Sequence, residues 1–345
     1  MSFEEVKRFL QEYDGPSVQI MEVCGSHTGA ISKNGIRTML SPKIKLLSGP
    51  GCPVCVTPTA YVDKLIELAL TPNMCVVTFG DMLRVPGSKQ SLSEVSGLGG
   101  RAVMIYSPME IVAMAEKEPQ TTFVFAAVGF ETTTPVYALL LEEVIEKELK
   151  NVKLLTALKT MPGVIEYLCE EGAAIDGFLA PGHVATITGS DIFKPLAEKY
   201  NMPFGVAGFE GEEILNALYG IVKAYKKGVV MNFYPKLVSE NGNEKAQALV
   251  DKYFIEADAA WRGMGVLPKT GKVLRSEYIQ YDAGSFNLYE DNKKNKACCC
   301  DKILMGKMEP TECPLFGKVC KPLTPQGACM VSEEGSCRSR FITGA

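Results

Sequence analysis

Apolar and polar positions in the first two-thirds of the chain repeat one grammar: a short apolar run, a turn carrying Gly or Pro, then apolar residues at helical spacing. Val18 to Val23 reads as a strand running into Cys24-Gly25, and Ile44 to Leu47 as one running into Gly49-Pro-Gly-Cys-Pro-Val-Cys55. Thr57 and Pro58 have the chemistry of an N-cap and a first helical position, and Val62, Leu65, Ile66 and Ala69 follow as a buried helix face. Cys75 to Phe79 ends at Gly80-Asp81, and Ala102 to Tyr106 at Ser107-Pro108. The grammar resumes with Phe123 to Val128, which ends at Gly129-Phe-Glu-Thr-Thr-Thr134, and with Val152 to Ala157. Ile175 to Leu179 then runs into Pro181-Gly-His183, and Phe204 to Ala207 into Gly208-Phe-Glu210.

Strand and helix patterns in alternation predict an α/β protein with parallel sheets covered by helices. The expectation is two doubly wound units, 1–118 and 119–232, followed by a small Cys-rich C-terminal domain, 233–345. Residues 233–285 carry Trp261-Arg-Gly-Met-Gly265 without strong periodicity. After Tyr289 the chain turns to Cys, Pro and Gly and cannot bury much core without a metal staple. Each unusual motif follows a strand. Ligands in open α/β sheets bind outside the carboxyl ends of strands, so Cys24, Cys52, Cys55, Asp81, Glu131 and His183 are expected around one cleft.

Cysteine placement sharpens this picture. Seven of twelve cysteines lie in the last 48 residues, and three more, Cys24, Cys52 and Cys55, sit in glycine-rich turns. No apolar run reaches the roughly 20 residues of a bilayer span, and the first residues mix acids and bases, so the chain reads as cytoplasmic, where thiols stay reduced. Metal ligation or redox chemistry is then the expected use. Cys313, Cys320, Cys329 and Cys337 are separated by six, eight and seven residues with Pro or Gly nearby. Four thiolates from turning loops suit a [4Fe–4S] cluster, whereas four-cysteine zinc sites pair their ligands about two to four residues apart. Cys298 and Cys300 add a Cys-x-Cys pair just upstream.

Cys52 and Cys55 precede a helix, whose positive end favours a thiolate; they read as a redox dithiol or half a metal site. Cys24 and His27, three apart, complete with them a set of three thiols and one imidazole that zinc also accepts. Cys75 in a strand and Cys169 on a helix read as core. Asp81, Glu131, Glu210 and His183 are acid/base candidates by position, or else turn-stabilising side chains. A net charge of −4 without basic runs disfavours nucleic acid, and neither the P-loop nor the dinucleotide fingerprint occurs.

The assembled motifs resemble the HypD family of hydrogenase maturation proteins. The matching stretches are Met21-Glu-Val-Cys-Gly-Ser-His-Thr28, Ser48-Gly-Pro-Gly-Cys-Pro-Val-Cys-Val-Thr-Pro58, Thr78-Phe-Gly-Asp-Met82 and Val85-Pro-Gly-Ser88. Gly129-Phe-Glu-Thr-Thr133, Pro181-Gly-His-Val184, Trp261-Arg-Gly263, Cys313-Pro-Leu-Phe-Gly317, Cys329-Met-Val-Ser332 and Glu334-Gly-Ser-Cys337 match in the same order. Two departures are Ser26, where the family more often has Thr, and Cys298-Cys-Cys-Asp301 in place of Cys-x-Cys-Gly. The resemblance implies an iron–sulfur scaffold on which the Fe(CN)2CO unit of [NiFe]-hydrogenases is built with the small chaperone HypC, cyanide arriving from HypE and HypF. It implies Cys24 as the iron-holding thiolate with His27 beside it. It also implies Cys52 and Cys55 as a redox pair, and a tail cluster on Cys313, Cys320, Cys329 and Cys337 that moves electrons. Two other classes stay open: a cluster-dependent thiol/disulfide oxidoreductase, and a zinc-bound structural protein.

Overall fold

The computed structural model describes residues 2–344. It is α/β, with two parallel-dominated sheets and a Cys-rich C-terminal region, as the sequence pattern predicts. Eleven strands are described: β1 (Val18–Glu22), β2 (Ile44–Ser48), β3 (Met74–Thr78), β4 (Ala102–Met104), β5 (Thr122–Gly129), β6 (Val152–Lys159), β7 (Gly177–Pro181), β8 (Phe204–Ala207), β9 (Val230–Asn232), β10 (Phe254–Trp261) and β11 (Gly265–Leu274). One sheet has the order β2-β1-β7-β8-β9 and is parallel throughout. The other runs β10-β11-β6-β5-β3-β4; β4, β3, β5 and β6 are parallel, and β10 and β11 join antiparallel.

Sheet membership does not follow the consecutive units 1–118 and 119–232. The chain lays down β1 and β2, crosses to build β3 to β6, returns for β7 to β9, and crosses again for β10 and β11. Residue 118 falls between β4 and β5 of a single sheet. The stretch 233–285, expected to open the C-terminal domain, instead contributes the helix Glu244–Tyr253 and a hairpin that extends the second sheet through β11 and β6. The physical reason is plain. Periodicity marks a segment as a strand, but the sheet it joins is set by distant packing. In β10 the buried residues gather at the two ends, so no clean alternation is there to read.

Local chemistry sets some element ends and tertiary contact sets others. The first helix, Phe3–Glu12, opens with a Ser2/Glu5 capping box. The helix after the Cys52–Cys55 turn is Thr59–Leu70, slightly later than Thr57 suggests. Thr57 donates its hydroxyl to Pro53 O instead, and the free helix amides are taken from afar, Thr59 N by Asp291 Oδ1 at 3.2 Å and Ala60 N by Glu290 O at 3.0 Å.

The first sheet is packed by Phe178, Phe193 and Phe204, all fully buried, with Phe178 and Phe204 stacked at 4.9 Å. That core also takes in Trp261, Cys52, Cys55 and the buried cysteines of the tail, so the tail has no separate interior. Phe178→Ala should therefore cost about 3–5 kcal/mol, the range for an emptied aromatic site. Chemical denaturation should show a lower midpoint. An unchanged midpoint would mean that this stack does not carry the sheet.

Candidate functional site

The site begins where β1 ends. Cys24 is the N-cap of the helix Gly25–Lys33, and the Gly25 amide donates to Gly51 O at 2.9 Å. Gly51 lies so close that a Cβ there would collide with the Cys24 amide, which explains a glycine just before Cys52. Behind the turn, Glu22 is fully buried; its carboxyl accepts from Thr28 Oγ1 at 2.6 Å and from the Cys24 amide at 3.3 Å. Burial pushes the Glu22 carboxyl up to about 8 and the Cys24 thiol up to about 12.

His27 turns toward the neighbouring strand end. Its Nε2 lies 2.9 Å from Gly208 O and 3.3 Å from Ala207 O, so two carbonyls fix the proton on Nε2. Nδ1 is left buried without a protein partner, and burial lowers the imidazole to about 4. Phe209 lies against both histidines, 4.8 Å from His27 and 3.9 Å from His183.

Cys52 and Cys55 are disulfide-bonded with Cα atoms 5.2 Å apart, and both are buried. The Trp261-Arg-Gly263 turn straps their loop. The Arg262 amide donates to Val56 O at 2.8 Å, its Nε donates to Thr57 O at 2.9 Å, and its Nη1 faces Asp291 at 3.4 Å. Gly263 in turn packs on Asp301, beside Cys300. The loop of Cys52 and Cys55 and the Cys298–Cys300 turn thus meet at one motif. A zinc site from Cys24, His27, Cys52 and Cys55 is not assembled, since Cys52 and Cys55 are bonded to each other and His27 Nε2 is engaged by carbonyls.

In the tail, the Cys298 and Cys300 sulfurs are 3.3 Å apart, and Cys300 faces Cys329 and Cys337. Cys313 faces Cys299, while Cys320 Sγ accepts the Gln326 amide at 3.4 Å. All six of Cys298, Cys300, Cys313, Cys320, Cys329 and Cys337 are buried in one packed group. Among the described residues no three His, Cys, Asp or Glu side chains are set around a common point as metal ligands. The donor chemistry nonetheless fits an iron–sulfur cluster: the set is soft, buried and all sulfur. A Cβ at Gly327 would fill space against the Cys298 and Cys300 sulfurs, each 2.6 Å away.

The tail also folds back over Cys24. Glu334 lies on Gly25, leaving no room for a side chain, and Ser26 Oγ donates to Glu334 Oε1 at 3.0 Å. Ser339 bonds Ser32 at 2.9 Å. The motif that ends in Cys337 therefore roofs the Cys24 turn.

Other candidates have separate places. Asp81 pairs with Arg84 at 3.8 Å; burial raises the Glu334 carboxyl, and the charge of Asp81 adds to that rise. Glu210 caps the helix Gly211–Lys223, the turn-stabilising use. Cys75 is core in β3, and Cys169 is half-buried on the helix Met161–Glu170. Glu131 opens on a different cleft of about 410 Å³ lined by Thr134, Thr160, Gln247 and Lys272. Sequence reasoning missed Glu22, Arg262 and Asp291 as site residues. A lone acid inside the apolar run Val18 to Val23 is the available signal for Glu22; Asp291 has none, because it acts across the fold.

Glu131 allows a pH test. Its Oε1 accepts the Met161 amide at 2.8 Å, its Oε2 has no partner among the described residues, and desolvation at this half-buried position pushes the carboxyl from 4.5 up to about 7. The native state thus holds a proton that the unfolded chain releases above about 4.5, so this group's stability contribution is full below 4.5 and falls as pH rises to about 7. The stability difference between wild type and Glu131→Gln should change across that window and stay flat above it. A difference independent of pH would refute the buried protonated carboxyl.

Comparison with known proteins places the chain in a family. The HypD sequence profile, described as "Hydrogenase formation hypA family", matches residues 2–343. A Methanocaldococcus jannaschii protein described as a putative hydrogenase expression/formation protein is 42% identical over 341 residues, covering 98% of this chain and 94% of its own. The hydrogenase maturation factor HypD of Rhizobium leguminosarum bv. viciae is 39% identical over 341 residues, with 95% and 89% covered. That of Azotobacter vinelandii is 39% identical over 338 residues, with 94% and 89% covered. With a profile spanning nearly the whole chain and relatives at this identity over nearly their full length, the protein belongs to the HypD family of hydrogenase formation proteins.

Proposed function

We propose that this protein is a [NiFe]-hydrogenase maturation factor, an iron–sulfur scaffold on which the Fe(CN)2CO moiety is assembled with HypC, cyanide arriving from HypE and HypF. The observation that carries the reading is the convergence of three cysteine regions: Gly51 against Cys24, Arg262 on the Cys52–Cys55 loop, and Glu334 over Gly25. In this reading Cys24 holds the cargo iron through its thiolate, a soft donor suited to iron with strong-field ligands. His27, with its tautomer fixed, leaves only Nδ1 free to face that cargo.

Cys313, Cys320, Cys329 and Cys337 hold the [4Fe–4S] cluster, with the Cys298–Cys300 pair beside it. When bound, such a cluster supplies one-electron reducing power. Cys52 and Cys55 exchange between disulfide and dithiol; reduction breaks their S–S bond with two electrons and two protons, and oxidation returns both. Arg262 keeps their loop in register with the tail in either state, because it grips the backbone carbonyls of Val56 and Thr57.

Anaerobically purified protein should carry about four irons with acid-labile sulfide. Alanine at Cys313, Cys320, Cys329 or Cys337 should each bleach it. Full iron in the Cys313 and Cys320 variants, with loss in Cys298→Ala and Cys300→Ala, would move the ligand set to the sulfurs that touch Cys329 and Cys337.

Infrared spectra of the complex with HypC should contain cyanide and CO stretches. Cys24→Ala should abolish them while tail iron stays. Bands that survive in this variant would place the cargo elsewhere. Differential alkylation should meanwhile find a reversible two-electron change at Cys52 and Cys55.

A further inference from the structure

The hairpin that carries Cys320 is built unlike the rest of the tail. Phe316 bridges Cys320, and Lys321 bridges Thr324, so residues 316–324 fold as a short turn on themselves. At its surface Leu323 is 93% exposed and Val319 is 54% exposed, while Cys320 between them is buried. Two large apolar side chains held out by a hydrogen-bonded turn cost solvation unless something covers them. Lys318 and Lys321 are exposed on the same turn. Lys296 is exposed on the preceding segment, next to Asn295, whose Nδ2 donates to Gln326 Oε1 at 3.1 Å just past this turn. None of these three lysines has an acidic partner among the described residues, unlike Lys293, which pairs with Asp301 at 2.9 Å. The wider charge follows suit. After Asp291 the chain carries nine Lys/Arg against five Asp/Glu, while the residues up to and including it carry 27 against 35.

We infer that this turn is the docking face for an acidic one-electron carrier protein. The inference rests on the tail's cluster reading. A small apolar tip with unpaired lysines beside it in the chain suits a brief encounter with an acidic surface: charge steers the approach, and the small apolar area keeps the complex weak and short-lived. Cys320 ties the face to its purpose. It sits on the docking turn itself, and its side chain lies in the packed group with Cys298, Cys313 and Cys329. The carrier gives one electron to the tail's cluster and leaves oxidised; no bond forms or breaks. Acidic segments elsewhere on the chain do not compete for this face, since the three lysines remain unpaired in the folded protein.

The probe is a strongly acidic [2Fe–2S] ferredoxin, with a basic cytochrome c as the control. Binding of the oxidised ferredoxin to the whole chain is followed by surface plasmon resonance at low and high ionic strength, and iron and sulfide are counted on the same samples. The expected result is ferredoxin binding at low salt that fades as salt rises, and cytochrome c binding that the lysine substitutions do not weaken. The triple variant Lys296→Glu/Lys318→Glu/Lys321→Glu should lose about tenfold or more in association rate, the scale of electrostatic steering. Leu323→Ser should weaken binding at every salt concentration. Iron content and circular dichroism equal to wild type establish that each variant is folded, and the milder Lys→Gln set serves if charge reversal perturbs the turn. Ferredoxin that fails to bind, or that binds all variants alike with the same salt dependence, overturns the docking face. Loss of HypC binding in the same variants, with ferredoxin unaffected, also overturns it. An iron-free chain that still binds ferredoxin through these residues keeps the face and removes the cluster reading, whereas an iron-loaded chain that does not bind removes the face alone.

Discussion

The arrangement of the cysteine regions depends on one buried guanidinium. Arg262 is 3% exposed, and its charge is offset by a single carboxylate, that of Asp291. Two carbonyls of the Cys52–Cys55 loop take its remaining bonds through the amide and Nε, and Nη2 has no partner. Removing one partner of a buried pair strands the other charge and is costly, whereas replacing both by well-packed apolar groups of similar volume is often neutral, so Arg262 need not be a net stabiliser. Its value here is positional. The same Asp291 that faces Arg262 also caps the helix Thr59–Leu70, so the cap, the loop before that helix and the start of the tail are tied at one carboxylate. Lys159 bears part of the consequence. Burial, with the like charge of Arg262 added, lowers its ammonium to about 7 while it lies 5.7 Å from the Trp261 ring.

Close backbone approach is the second constraint. Gly25, Gly51, Gly263 and Gly335 each sit where a Cβ would meet another segment: Glu334, the Cys24 amide, Asp301 and the Cys329 carbonyl respectively. None of these four needs a special backbone angle except Gly263, whose φ is +75°. The others are glycine because two chain segments share the space. This links the glycine-rich motifs of the sequence, which look like separate turns, into one packing problem: each is the hole into which the next motif fits.

That distinction also sets what can be read from the sequence. Strand existence is legible, because β1, β2, β5, β7 and β8 are apolar runs closed by Gly or Pro. The cysteine groups are legible by composition, and the resemblance of the motifs agrees with the family. Sheet assignment is not legible. Nothing in Val18 to Val23 says that its partner on one side is Gly177 to Leu179, which lies beyond four strands of the other sheet. The cap on Thr59 escapes a local reading for the same reason. Thr57 is a competent N-cap residue, but a carboxylate 232 residues from Thr59 reaches the helix amide instead, and local propensity yields to tertiary contact.

Burial decides the electrical character of the cleft. Glu22 at about 8 and Cys24 at about 12 both hold their protons near neutral pH, and His27 at about 4 is a neutral imidazole, so these three side chains at the Cys24 turn are uncharged. Met21 and Val23 form an apolar floor beneath them, and Glu334, whose carboxyl burial raises, closes the turn from the tail side. A metal that takes the Cys24 sulfur must displace its proton, and the anion so formed is stable in this cleft only while the cation is there. The enclosure that makes Cys24 a poor free thiolate would, in the proposed function, make its ionisation conditional on the cargo metal. With Glu334 accepting from Ser26 above the turn, the C-terminal segment is part of that enclosure.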